Sequence, residues 1–136
     1  MLELLHIENI AIIERADILF GRGFNALTGE TGAGKSIVID AISAILGQRA
    51  YRDMIRTGTN KASVRAVFTK VPNFPWFEEN GVEYDGETVI QRDIFLDGKN
   101  VCRVNGTLVT VAILHKLGIQ LINIHGQHDS ASLFDE

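Results

Sequence analysis

A single α/β domain is predicted by three features of the sequence. Apolar and polar residues alternate near the N-terminus, a glycine-rich loop lies between a short apolar strand and an apolar helix, and a hairpin signature follows in the second half. The chain has 136 residues, of which 46% are hydrophobic and 22% charged, as in soluble globular proteins. A chain of this length can bury a core, so we expect one folded unit over residues 1–136.

Composition argues against several classes of protein. The formal net charge of −4 gives no electrostatic reason to expect nucleic-acid binding by this chain itself. No apolar run approaches the roughly 18 to 20 residues that span a membrane, and the N-terminus lacks the pattern of a signal peptide. We therefore expect a cytoplasmic protein with no membrane partner. The single cysteine, Cys102, is expected to be a small core residue.

The N-terminal half is predicted to contain three strands followed by a loop and a helix. Residues 2–20 alternate as two half-buried strands do, which favours an antiparallel start. Residues 24–28 are typical of a short buried strand. Residues 37–46 are apolar over helical length, and Gly47 is the kind of residue that ends a helix with positive φ.

The second half is richer in turn signals. A strand is predicted over residues 62–71, followed by a surface loop that carries Trp76 and Phe77 between prolines and glycine. Strands over 88–96 and 100–104 flank the hairpin turn 97–99, and a second turn is expected at 105–106. A helix over 109–117 is then expected to end at Gly118, before a buried strand over 120–124.

The glycine-rich loop matches the P-loop pattern, in which glycine and four further residues precede Gly-Lys-Ser or Gly-Lys-Thr. Gly29 and Gly34 allow backbone amides to turn inward around phosphate oxygens, and the helix starting near Lys35 adds its N-terminal amides and dipole. Lys35 supplies a charge for the β- and γ-phosphates, and the Ser36 hydroxyl is an oxygen ligand for Mg²⁺. The predicted loop comprises Gly29, Glu30, Thr31, Gly32, Ala33, Gly34, Lys35 and Ser36.

Other classes of P-loop protein fit less well. A GTPase needs Asn-Lys-X-Asp, but Asn60-Lys61 is followed by Ala62-Ser63, and no Asp precedes a Gly by three residues. A nucleoside-monophosphate kinase needs an arginine-bearing lid that we cannot place. Hydrolysis also needs an acidic residue at the end of an apolar strand. We find no such strand, and we interpret Asp135-Glu136 as a tail, so the sequence describes half of an ATPase site.

Five blocks of sequence together carry a family resemblance: Leu5 to Ile12, Thr28 to Ile37, Leu46 to Ala50, Val104 to Thr107 and Ile124 to His128. These blocks resemble the N-terminal segment of the RecN family, bacterial double-strand-break repair ATPases related to the structural-maintenance-of-chromosomes (SMC) proteins. The similarity covers essentially the whole chain. A complete member would continue into a coiled coil and a second ATPase lobe.

The resemblance implies the N-terminal lobe of an ABC-type P-loop ATPase head, with mixed β-sheets around the P-loop helix. It also implies that ATP and Mg²⁺ bind at residues 29–37, Ile37 included. Lys35 and Gln127 are expected to act in catalysis, and Gln127, at the position of the Q-loop glutamine, is expected to join Ser36 in coordinating Mg²⁺. The implied partners are the protein's own C-terminal head lobe, a second head and, for the full-length protein, DNA in the nucleoid.

Three further residues carry weaker expectations. Arg49 lies where related heads have an arginine near nucleotide or DNA, and an ordinary surface role fits it equally well. His125 and His128 are two histidines without further convergent ligands, so loop-positioning roles are favoured over zinc. Two functions other than a repair-ATPase lobe stay open: a self-contained nucleotide-binding regulatory module, and a phosphotransferase, for which no acceptor pocket is apparent.

Overall fold

The computed structural model of the protein describes residues 2–20, 32–50 and 52–126. Within these ranges a six-stranded sheet has the strand order β2-β1-β3-β4-β5-β6, and every strand pairing is antiparallel. The strands are β1 (Leu2–Ile10), β2 (Ile13–Leu19), β3 (Lys61–Phe68), β4 (Thr88–Phe95), β5 (Asn100–Val104) and β6 (Thr107–Val109).

In the described part of the chain, three α-helices accompany the sheet: α1 (Gly32–Ile45), α2 (Pro75–Glu79) and α3 (Val111–Gly126). A short 3₁₀ helix, Arg52–Met54, follows α1. Helix α1 contacts β1, β3 and β4, and α3 contacts β5. The predicted α/β class is therefore confirmed, with a helical layer against one antiparallel sheet.

Strand register explains which face of the sheet is buried. Leu5 pairs with Ala66, which pairs with Ile90, which pairs with Val104, and all four side chains are fully buried. Because side chains alternate across a strand, the neighbouring positions point to the opposite face, which carries more polar residues. The helices cover the apolar face, so the core lies between the sheet and α1 with α3.

Several predicted elements are confirmed. The first two strands pair antiparallel, and the hairpin of β4 and β5 surrounds the predicted turn. The turn between β5 and β6 has φ of 51° at Asn105 and 86° at Gly106, as a two-residue type I′ connection requires. Cys102 is buried in the core. The predicted strand over 24–28 lies outside the described residues.

Two predictions were wrong. Trp76 and Phe77 do not lie on a surface loop: Pro75 starts α2, and both aromatic side chains are buried. The Trp76 indole donates a hydrogen bond of 2.9 Å to the carbonyl oxygen of Ile113, which anchors α2 to α3. Proline is favoured in the first turn of a helix, where its missing N–H has no intrahelical partner.

The second error concerns the C-terminal region. Helix α3 does not end at Gly118, and no strand forms over 120–124, because α3 continues to Gly126. Gly118 lies inside α3, against the turn that follows α1: a Cβ added to it would lie 2.0 Å from the Leu46 carbonyl oxygen. Close helix packing, rather than helix termination, accounts for this glycine.

Candidate nucleotide-binding site

Helix α1 begins at Gly32, inside the glycine-rich motif and three residues before the predicted start near Lys35. Residues 29–31 lie outside the described residues, and Gly32 to Lys35 form the first turn of the helix. The first N–H groups of a helix have no intrahelical acceptor, and the helix dipole is positive at that end. The motif therefore contains a helix N-terminus, which is the backbone arrangement that binds phosphate.

The first side chains of α1 that the structure describes divide between solvent and core. Ser36 is exposed, whereas Ile37 and Val38 are buried in the core. No acidic residue occupies the first turn of α1, so no carboxylate in that turn would repel an anion. The Ser36 side chain is therefore accessible to solvent near the N-terminal end of α1.

The other end of α1 is closed by a Schellman motif. Gln48 N–H donates to the Ser43 carbonyl oxygen at 3.0 Å, and Gly47 N–H donates to the Ala44 carbonyl oxygen at 3.1 Å. Gly47 adopts φ of 85°, as predicted for the residue that ends the helix. A Cβ at Gly47 would lie 2.4 Å from Cα of His115, so α3 also packs tightly against this turn.

A buried arginine completes the same end of α1. Arg92 of β4 is 2% exposed, and its guanidinium donates to the carbonyl oxygens of Ala44 at 2.8 Å and Gln48 at 2.6 Å. Its Nε donates to the Asn100 side-chain oxygen at 2.9 Å. Burial lowers the pKa of Arg92. Arg92 was not predicted from the sequence to have a role, although it lies between Ile90 and Ile94 at a core position in the alternation.

The opposite face of the sheet carries a cluster of charged side chains on β1 and β2. His6 Nε2 lies 2.8 Å from a Glu8 oxygen, and His6 Nδ1 lies 2.5 Å from an Asp17 oxygen. Hydrogen bonds to Glu8 and then Asp17 raise the pKa of His6, and the bond from His6 lowers the pKa of Glu8. This cluster is on the side of the sheet away from α1, so it is separate from the N-terminal end of that helix.

Other predicted site residues are only partly described. Gln127 and His128 lie outside the described residues, and His125 falls in the last turn of α3. Arg49 is exposed, and it follows Gln48, whose carbonyl oxygen Arg92 holds. Across residues 2–20, 32–50 and 52–126, no group of three His, Cys, Asp or Glu side chains could hold a metal ion.

Comparison with known sequences supports the resemblance that the motifs indicate. The sequence profile of the AAA domain family matches residues 4–125. DNA repair protein RecN of Bacillus subtilis is 46% identical over 140 aligned residues, which cover 100% of this chain and 24% of that relative. The chain thus spans about a quarter of the length of the curated relative. The predicted resemblance to RecN is confirmed.

Two solved structures share the fold. The SMC head domain with coiled coil and joint from Pyrococcus yayanosii gives a TM-score of 0.68 at 24% identity, covering 92% of this chain and 26% of that one. A structure described under ATP-driven dimerization and DNA-stimulated activation of SMC ATPases gives 0.67 at 24% identity, covering 85% and 75%. At this identity the likeness establishes the fold alone, which this chain shares with an SMC head domain. None of the helices in the described part of the chain is long and apolar enough to cross a membrane.

Proposed function

The chain belongs to the AAA domain family, and we propose that it is the ATP-binding lobe of a DNA-repair ATPase like RecN. The observation that carries this proposal is that α1 begins within the P-loop motif and holds Ser36 exposed after its first turn. Backbone amides at such a terminus bind phosphate oxygens, and the motif adds one lysine. Residues 29–37 are therefore proposed to hold the triphosphate.

Different residues of this chain are proposed to contact the phosphates and the metal ion. Lys35 would stabilise negative charge on the β- and γ-phosphates, and the Ser36 oxygen would ligate Mg²⁺. Gln127 is proposed as the second protein ligand of Mg²⁺ and as a positioner of water near the γ-phosphate. Bound Mg²⁺ would neutralise phosphate charge as bonding changes. Lys35 and Gln127 are the residues of this chain that we propose take part in hydrolysis.

Turnover is proposed to need more than this lobe. The chain covers about a quarter of its RecN relative, and one structural neighbour is described by ATP-driven dimerization and DNA-stimulated activation. We propose that a C-terminal lobe and a second head complete the site, and that DNA is a partner of the complete protein in the cytoplasm, at the nucleoid. Isolated, the chain would bind ATP and hydrolyse it negligibly.

Competition against a fluorescent ATP analogue tests the phosphate-binding claim. ATP with Mg²⁺ should displace the analogue, whereas adenosine should not, because the affinity comes from phosphate contacts. Ser36→Ala should reduce the Mg²⁺ dependence of binding, and Ser43→Ala, on the same helix but half-buried, is the matched control. Displacement by adenosine as effective as by ATP would show that phosphate is not what the chain recognises.

Turnover distinguishes the repair-ATPase lobe from a regulatory module. Phosphate release should be at background for the isolated chain and should appear when a complementary C-terminal lobe is added. If the reconstituted assembly binds ATP without ever releasing phosphate, the regulatory module is the better description. Formation of a phosphorylated small acceptor would instead identify a phosphotransferase.

A further inference from the structure

Arg92 occupies a position that strand register assigns to the apolar core. It pairs with Val64 on β3 and with Cys102 on β5, and both of those side chains are buried on the face that α1 covers. A charge at such a place is costly to bury unless its donors are satisfied. A charged residue among these buried neighbours on β3 and β5 indicates a role that an apolar side chain could not perform.

The hydrogen bonds of Arg92 join three elements of the fold. Its guanidinium donates to Ala44 in the last turn of α1 and to Gln48, which lies just beyond the end of that helix. Its Nε donates to Asn100 at the start of β5. Each acceptor is a neutral oxygen. The positive charge therefore faces the carbonyl end of α1, where the helix dipole is negative.

We propose that Arg92 is a positioning residue for the phosphate site: by holding the carbonyl end of α1 on the sheet, it sets where the opposite, phosphate-binding end of the same helix stands. The inference rests on the proposed function, since it assigns a task to that same site. It concerns binding of the triphosphate and gives Arg92 no contact with nucleotide.

Helix α1 does not itself supply a cation at its carbonyl end. Its last turn contains no basic residue of its own, so β4 supplies the cation that favours a helix C-terminus. The Schellman bonds satisfy the Ser43 and Ala44 carbonyls once each, and Arg92 adds a second donor at Ala44 and a donor at Gln48. These bonds resist both sliding and rotation of the helix end.

A displacement at one end of α1 reaches the other because a helix is stiff along its axis. Fourteen residues give α1 a length of about 21 Å at a rise of about 1.5 Å per residue. If the carbonyl end slides on the sheet, the N-terminal amides move with it. Amide-to-phosphate hydrogen bonds weaken steeply with misalignment, so a small slide would lower affinity.

The test uses the 136-residue chain with substitutions at the clamp and a matched control. Arg92→Met removes the charge and the donors at similar length, Arg92→Lys keeps the charge without the planar fork, and Asn100→Ala removes one acceptor and is the milder change. Val104→Ala is the control, since it trims a buried residue on the same face of β5. Affinity for MgATP is measured at a temperature where circular dichroism shows each variant folded.

Coupling through such packed networks is worth roughly 2- to 30-fold in affinity. We expect Arg92→Met to weaken MgATP binding about tenfold, Arg92→Lys about fivefold and Asn100→Ala about threefold, with Val104→Ala within about twofold of the parent. Adenosine binding, which the phosphate amides do not govern, should be equally weak in all. If Arg92→Met does not fold, the MgATP affinity of Asn100→Ala compared with that of Val104→Ala decides whether the Arg92 bonds position the phosphate site.

Hydrogen exchange separates this inference from the proposed function. The amides of residues 37–41 in α1 should exchange faster in the Arg92 and Asn100 variants than in Val104→Ala. If the parent chain fails to bind ATP, the proposed function is wrong, and faster exchange would still support the clamp. The proposed role of Arg92 would be overturned if Arg92→Met and Asn100→Ala had the same MgATP affinity and the same amide exchange rates as Val104→Ala.

Discussion

Gly118 approaches Leu46 so closely that a methyl group on Gly118 would lie 2.0 Å from the Leu46 carbonyl oxygen. That atom belongs to the backbone, so it cannot move aside as the tip of a flexible side chain could. The turn that follows α1 and the middle of α3 are therefore held in direct contact.

Gly118→Ala should destabilise the protein even though alanine is the better helix former. Overpacking costs about 1 to 3 kcal/mol, and a clash with a backbone atom belongs toward the upper end of that range, above the roughly 1 kcal/mol that alanine gains over glycine in a helix. Urea denaturation followed by circular dichroism measures the difference. Asn123→Ala, at an exposed position on α3, should change stability by under about 0.5 kcal/mol. An unchanged or higher stability in Gly118→Ala would contradict the tight contact.

The two wrong predictions, at α2 and at Gly118, have related causes. Local signals at Gly118 and Pro75 are ambiguous, because glycine either ends a helix or allows close packing, and proline either breaks a helix or starts one. Residues 120–124 are rich in branched apolar side chains and read as a strand. Packing of α3 on the sheet decides between these readings, and a local pattern does not contain that information.

The features that could be predicted depend on short-range chemistry. Alternation gives β1, β2 and the hairpin, Gly47 gives the end of α1, and the loop motif gives the residues proposed to bind phosphate. Arg92 could not be assigned a role in this way because its acceptors, Ala44 and Gln48, are 48 and 44 residues distant in sequence. In the sequence Arg92 is a single charged residue among apolar ones, and only the pairing of β4 with β3 and β5 shows that its side chain faces the core.

The cluster of His6, Glu8 and Asp17 should make stability depend on pH. The pKa of His6 is raised above 6.5 in the folded protein, so its contribution is fully present below about pH 6.5 and is lost as pH rises through the folded value. The pKa of Glu8 is lowered from 4.5, so its contribution is present above that value and is lost as pH falls through the folded one. The cluster therefore stabilises most between these limits.

His6→Gln should accordingly cost more stability at about pH 5.5 than at about pH 8.5. Because Glu8 and Asp17 are partly exposed, we expect the difference to be only about 0.5 to 1 kcal/mol. Urea denaturation of parent and variant at both pH values measures it. A loss of stability that is equal at the two pH values would show that His6 does not act through its charge.

Trp76 offers a test of the buried helix α2. It is the single tryptophan of the chain and is 3% exposed, so native emission should be blue-shifted and should move red on unfolding. Trp76→Phe removes the hydrogen bond to Ile113 and part of the packed ring, which should cost about 1 to 3 kcal/mol. Native emission near that of free tryptophan would place the indole in solvent and contradict the fold around α2.

Cys102 should be unreactive while the protein is folded. The thiol is buried, and burial raises its pKa, so the nucleophilic thiolate is both scarce and inaccessible. Ellman's reagent at about pH 8 should modify it slowly without denaturant and completely in urea. Cys102→Ala gives the background signal. Rapid native labelling would mean that β5 opens readily from the sheet.

Isothermal calorimetry of MgATP binding to the parent chain and to Lys35→Ala tests the central claim most directly. Lys116→Ala, at an exposed position on α3, is the matched control for loss of one lysine charge. We predict measurable binding by the parent and by Lys116→Ala, with Lys35→Ala weakened at least about tenfold by loss of a charge at the phosphates. Equal affinity of Lys35→Ala and the parent, or no heat of binding from the parent at millimolar MgATP, would contradict the account.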